Sequence, residues 1–340
     1  MRAGHLAILS GFVVIALLMT SVGNTLANDG SGTSYGWSVL SPKISDPSLF
    51  STNLAWDPAG YEMAVVTGPS GYGTYALEGN GWVNLHVRTP VCTGVAPMLV
   101  DDESDGYMLL IDAFAVGCGT QSADSPSEAG HALVQLWRFQ EGFGWDHINT
   151  PTGPRLPADC LSDVACSPGA VYDVSDGYVL LYGGFSDGRN FSVQTWSYHA
   201  GAWTEISGSA PFRGSAVMTY DPNLGKVLLV GYGWWTYHAG AWKQIFPVDR
   251  PVLNQVYQYN YDPKLQALMV SASSSYPSNS QNSYMYLWKD GSKGFTNITS
   301  ETVNADFECI FYGNVALPTY DPLVHGLVCE GYSGGVWKFA

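Results

Sequence analysis

Residues 170–185, AVYDVSDGYVLLYGGF, hold two apolar runs parted by a polar segment with Asp and Gly, and the outline returns at 216–232, AVMTYDPNLGKVLLVGY. Short apolar runs bounded by such turn residues predict two strands joined tightly. Residues 195–206, TWSYHAGAWTEI, and 236–245, TYHAGAWKQI, add a third strand, an Ala-Gly turn and a fourth strand to each. One unit is therefore a four-stranded antiparallel meander. No long segment has helical periodicity.

Weaker copies extend the pattern along the chain, and such internal periodicity decides the architecture. The first-strand Asp recurs as Asp57, Asp101, Asp173, Asp221, Asp262 and Asp321. Third- and fourth-strand aromatics pair as Tyr75 with Trp82, Trp137 with Trp145, Trp196 with Trp203, Trp235 with Trp242, and Trp288 with Phe295. The sixth unit stops at Ala340 after its third strand, where Trp337 aligns with Trp196. Residues 35–41, YGWSVLS, read like the missing fourth strand. Pairing the two would close a ring and leave no exposed sheet edge at either end.

The phrase YD…G.VLLYGG…TW.Y..G.W resembles kelch repeats and the related repeats of the galactose oxidase central domain. The resemblance spans about residues 35–340, with the full diglycine at the end of the second strand only at Gly183-Gly184. It implies an all-β fold: a six-bladed β-propeller of four-stranded antiparallel blades, closed by the N-terminal strand joining the C-terminal blade. In such a blade the one–two and three–four turns share one face, and these are short here. The two–three and four–one connections share the other. They include the long stretches 115–130, 148–168, 246–255, 272–283 and 299–314. Variable loops on a rigid scaffold are where binding sites sit.

The six aspartates then belong to the short-turn face, as turn-holding residues. His199 and His238 occupy equivalent turns in adjacent blades and point apart, a poor metal pair. The oxidases in the resembled group use two His, two Tyr and a Cys at copper. Only His131 lies in a long two–three loop, so neither metal nor cofactor is expected. The expected role is a non-catalytic binding or scaffold module for a glycan or surface protein, with Arg213, Tyr232, Trp234 and Glu330 as contact residues. The alternative is an extracellular glycosidase or lyase using carboxylates among Asp187, Asp306, Glu308 and Glu330.

The N-terminus bears on location. Arg2, the apolar run Leu6–Met19 and small residues Thr25 and Ala27 have the layout of a signal peptide cut after Ala27. The run is shorter than the roughly 20 residues of a membrane span. This divides the chain into a signal (1–27), a linker (28–34) and one propeller domain (35–340). The product is expected to be secreted and monomeric, or held at the cell surface if the signal stays uncleaved. The net charge of −15 argues against nucleic acid as a partner, because phosphate binding needs clustered Lys and Arg. Six cysteines after a signal favour disulfides over metal. Their places in the repeat suggest Cys92–Cys118, Cys160–Cys166 and Cys309–Cys329. Sequons at Asn190 and Asn297 are candidate glycosylation sites.

Overall fold

The computed structural model describes residues 27–28, 34–35, 37–41, 50–57, 60–68, 71–78, 81–90, 98–112, 131–157, 168–186, 191–206, 211, 217–230, 233–245, 255–273, 283–289, 295–298, 319–322, 325–330 and 336–339. These form six four-stranded antiparallel sheets, with no helix among them. Blade one is Phe50–Asp57, Tyr61–Gly68, Gly71–Glu78 and Gly81–Asn84. Blade two is Met98–Asp102, Tyr107–Asp112, Gln135–Gln140 and Gly144–Ile148. Blade three is Gly169–Asp173, Tyr178–Ser186, Phe191–His199 and Ala202–Ile206; blade four is Val217–Asp221, Lys226–Val230, Trp234–His238 and Ala241–Ile245. Blade five is Gln255–Asp262, Ala267–Ser273, Ser283–Lys289 and Phe295–Asn297. Blade six is Thr319–Asp321, Gly326–Glu330 and Val336–Phe339, and its fourth strand is Trp37–Ser41 from the other end of the chain. First strands of successive blades touch all around, blade six against blade one included. This is a six-bladed β-propeller. Upstream, Ala27–Asn28 pairs with Ser34–Tyr35 across the stretch read as a linker.

Second strands such as VLLY and KVLLV are apolar without alternation because both of their faces are buried. Val179 and Leu181 pack toward blade two, while Leu180 and Tyr182 pack toward blade four. Val227 and Leu229 then face blade three, and Leu228 and Val230 face blade five. Among the described residues the core is thus six apolar clusters, one at each interface between blades.

Turn chemistry repeats in the same register. Each second strand is preceded by a residue at positive φ: Gly60, Gly106, Gly177, Gly225, Gln266 and His325. Glycine reaches that region freely, whereas a Cβ there costs ~1–2 kcal/mol. Gln266→Gly and His325→Gly are therefore expected to raise stability by about 0.5–1 kcal/mol each, net of glycine's larger entropy when unfolded. A chemical-denaturation midpoint unchanged or lowered in both variants would contradict this. The three–four turns of blades three and four, Ala200-Gly201 and Ala239-Gly240, have positive φ at both positions, the two-residue hairpin geometry that suits strand twist.

Two sequence alignments need correction. In blade two the turn aspartate is Asp102, not Asp101: Asp102 lies opposite Tyr107 as Asp173 lies opposite Tyr178. Nor does the fourth-strand aromatic face its expected third-strand partner in most blades. Trp203 faces Tyr198, Trp242 faces Tyr237, Trp145 faces Phe139 and Trp82 faces Leu77. Only Trp288 with Phe295 is directly opposed as expected.

Candidate functional site

The short-turn face is described in detail, and its acids are structural. Asp173 Oδ1 accepts the Ser175 and Asp176 backbone N–H groups at 3.0 and 3.3 Å. Asp221 Oδ1 does the same for Asn223 and Leu224 at 2.9 and 3.2 Å, and Asp262 Oδ1 for Lys264 and Leu265 at 2.9 and 3.1 Å. Asp102 Oδ1 accepts the Ser104 hydroxyl at 2.8 Å and the Asp105 N–H at 3.3 Å. These are Asx turns, in which the carboxylate satisfies donors that the tight turn leaves unpaired. Removing the side chain in Asp173→Ala is expected to cost about 1–2 kcal/mol. Asp173→Asn keeps an acceptor oxygen and is expected to cost less, as equilibrium unfolding would show.

A second set of groups links the blades. Asp105 Oδ2 accepts the Tyr107 hydroxyl at 3.0 Å and, from blade three, the Ala200 N–H at 2.9 Å. The Tyr198 hydroxyl of blade three lies 2.9 Å from that of Tyr107, closing the network. One blade on, Asp176 Oδ2 accepts the Tyr178 hydroxyl at 3.0 Å and the Ala239 N–H at 2.7 Å, and Tyr178 meets Tyr237 at 2.7 Å. His199 and His238 belong to these separate latches: His199 Nδ1 is 3.4 Å from Ser104 Oγ, and His238 Nδ1 is 3.7 Å from Asp176 Oδ1. Sequence reasoning passes over Asp105 and Asp176, although the phrase D-x-S-D-G-Y at 102–107 and 173–178 carries the signal.

Fourth-strand tryptophans reach the blade before them. Trp145 Nε1 donates to Thr74 Oγ1 at 2.8 Å, and Trp242 Nε1 to Thr195 Oγ1 at 2.9 Å. The register places Leu136 and Val336 where these threonines stand. The fourth-strand tryptophans of the blades that follow, Trp203 and Trp82, have buried Nε1 atoms without a hydrogen-bond partner.

Burial raises several acids. Asp101 is pushed up to about 7, by burial first and then by the charges of Glu103, Asp57 and Asp102. Burial also carries Asp173 to about 6, with Asp176 adding to it. Each such acid holds its proton longer in the fold than in the unfolded chain. Stability therefore falls as pH rises from about 4 through 6 for Asp173 and on to 7 for Asp101. Thermal scans are expected to show a higher midpoint at pH 5 than at pH 7, and Asp101→Asn should flatten the upper part of that fall.

Of the expected contact residues, Trp234 and the backbone of Glu330 are among the described residues. Trp234 is 4% exposed and packs its ring on Trp288 and Phe295, inside the interface of blades four and five. The backbone of Glu330 ends the second strand of blade six, opposite Val336. Arg213, Tyr232, Asp187, Asp306, Glu308 and the sequon at Asn190 lie outside the described residues, as do residues 1–26 of the signal. Asn297 is exposed on the outer strand of blade five. The two–three connections of blades one and four are short, since Gly68 pairs with Gly71 and Val230 with Trp234. Blades two and five carry the long ones. His131–Leu133 from the blade-two connection pairs with Arg155–Pro157 from the connection leaving that blade, and the Val134 N–H donates to Pro154 O at 3.0 Å. That ribbon ties two long loops together. Cys329 is buried and disulfide-bonded. The other five cysteines, its partner among them, lie outside the described residues. Among the described residues no group of three or more His, Cys, Asp or Glu is placed to hold a metal ion, and no helix is long and apolar enough to cross a membrane.

No protein-family model matches the chain, and no curated protein matches it, so the likeness to kelch repeats rests on the repeated phrases. Among solved structures, a catalytically inactive variant of virginiamycin B lyase from Staphylococcus aureus with quinupristin is similar at 9% identity. The match covers 89% of this chain and 99% of that one, with a TM-score of 0.48. A streptogramin B lyase is similar at 11% identity over 90% of this chain and 97% of its own, with a TM-score of 0.47. A chain of the mitotic checkpoint complex is similar at 12% identity over 100% of this chain and 98% of its own, with a TM-score of 0.46. No activity or partner is drawn from likenesses at this level.

Proposed function

We propose that the protein is a secreted or surface-held propeller that binds a glycan or a surface protein through its long-loop face, without catalysis. The observation that carries this reading is the engagement of the repeated aspartates. Those that look catalytic in the sequence hold turns, and their neighbours Asp105 and Asp176 join blades. The regular face is thereby occupied with holding the ring, and variation between units is concentrated in the connections on the other side. A rigid ring carrying such loops suits recognition. The signal layout, the cysteine pairs, the sequons at Asn190 and Asn297 and the monomeric state belong to the same proposal.

Glycan arrays and co-purification with surface proteins test it, using the chain purified without its first 27 residues. Retention of a glycan or surface protein with no change in that ligand is the expected result, weakened by Arg213→Ala or Tyr232→Ala. Turnover of a chromogenic glycoside that disappears in Asp187→Asn or Glu330→Gln would replace binding by hydrolysis.

A further inference from the structure

The interface between blades six and one differs from the other five. Its apolar cluster is the smallest among the described residues: Leu54 and Leu77 from blade one and Val328 from blade six. One position of the second strand sets this interface apart. Register places Met108, Val179, Val227, Leu268 and Leu327 in five blades, each packed toward the preceding blade. Blade one has Glu62 there, opposite Leu77 on its third strand and Trp56 on its first. Glu62 is 0% exposed, and neither carboxyl oxygen has a hydrogen-bond partner. Trp82 Nε1, on the same blade, is buried and unpartnered too. The described hydrogen bond across this interface runs from Thr319 Oγ1 to Leu54 O at 3.0 Å.

We propose that this interface is a proton-gated seam of the propeller, closed while Glu62 is neutral and loosened when Glu62 ionises.

An unpartnered carboxylate inside an apolar cluster carries a large desolvation penalty that a neutral acid largely avoids. Burial, and secondarily the charge of Asp321 on the facing first strand of blade six, raises Glu62 well above its ordinary 4.5. The other charged side chains described on the two sheets are Asp57 and Glu78 on blade one, and His325 and Lys338 on blade six. The fold therefore holds the Glu62 proton where the unfolded chain releases it. The closed seam is most stable below the ordinary value. It weakens as pH rises from there to the raised one. Opening the seam exposes the acid and lets it ionise in water.

Hydrogen exchange across pH, corrected for intrinsic rates, reads this locally in the full-length chain. Amides of Leu77 and Val328 are expected to lose protection as pH rises above 4.5, by up to about tenfold per pH unit. Amides of Leu180 and Leu229, between blades three and four, report the pH dependence that Asp173 and Asp101 give the fold, and the seam is expected to lose more protection than they do. Glu62→Met, which installs the residue of the neighbouring blade, and Glu62→Gln, which cannot ionise, should both reduce the pH dependence at the seam to that of the reference amides. Should Glu62→Met fail to fold, Glu62→Gln alone decides. A seam that loses protection with pH equally in wild type and the Gln variant overturns the proposal, as does one whose protection is independent of pH in wild type.

Discussion

Deleting residues 35–41 is expected to lower stability by at least about 4 kcal/mol, from four paired positions at about 1 kcal/mol net for each hydrogen bond. The strand Trp37–Ser41 lies against Val336–Phe339 with Ser41 opposite Val336, Val39 opposite Trp337, Ser38 opposite Lys338 and Trp37 opposite Phe339. Without it, the last strand becomes an open edge whose backbone groups face water or another chain. A drop in melting temperature of roughly 10 °C, with a tendency to associate, is the expected reading. The complementary experiment ties the two ends covalently. Ser38→Cys combined with Lys338→Cys places two thiols at directly opposed positions, and their oxidation should raise stability by ~2–4 kcal/mol. If the deletion leaves the melting temperature unchanged, the N-terminal strand does not close the ring.

Phe339→Ala is expected to cost ~3–5 kcal/mol, the usual loss for a buried aromatic. Phe339 is 0% exposed and packs with Leu327, Cys329, Met269 and Leu287 in the cluster that joins blades five and six. Gly326→Ala attacks the same place from the backbone. A Cβ on Gly326 would collide with the Phe339 carbonyl oxygen, and a backbone atom cannot swing aside. A loss of about 1–3 kcal/mol is expected for that variant. Gly177 provides the contrast, since its added Cβ meets nothing within 4 Å and the penalty there comes from positive φ alone. Guanidinium denaturation of the variants measures all three. A loss below about 1 kcal/mol for Phe339→Ala would mean that the end of the chain is not part of the core.

The alignment errors show what a repeat can and cannot disclose. Trp196 and Trp203 are a natural pair on the page because both are large and seven residues apart. In the blade they share a face but stand diagonally, Trp196 opposite Glu205, and Tyr198 is the residue opposite Trp203, with ring centroids 5.2 Å apart. A two-residue hairpin turn sets that register, and side-chain size does not report it. Asp101 and Asp102 present the same difficulty, since either reads as the turn aspartate. Asp102, opposite Tyr107 in the strand register, caps the turn. Trp234 reads as available to a ligand because it lies near the long-loop end of its strand, but it is buried between blades.

Strand number, turn positions and the sixfold recurrence come from the chain's own punctuation, because short apolar runs between Asp and Gly can form little else than strands and tight turns. The sequence also shows where one unit departs from the rest, as Glu62 does in an otherwise apolar column. What that departure means depends on burial, and burial depends on the neighbouring blade. The latches of Asp105 with Ala200 and Asp176 with Ala239, the threonine acceptors for Trp145 and Trp242, and the charge of Asp321 beside Glu62 all join residues from different sheets. Local pattern encodes a blade. The angle and distance at which two blades meet are set only when the ring packs, and the hydrogen bonds and pKa shifts follow from that packing.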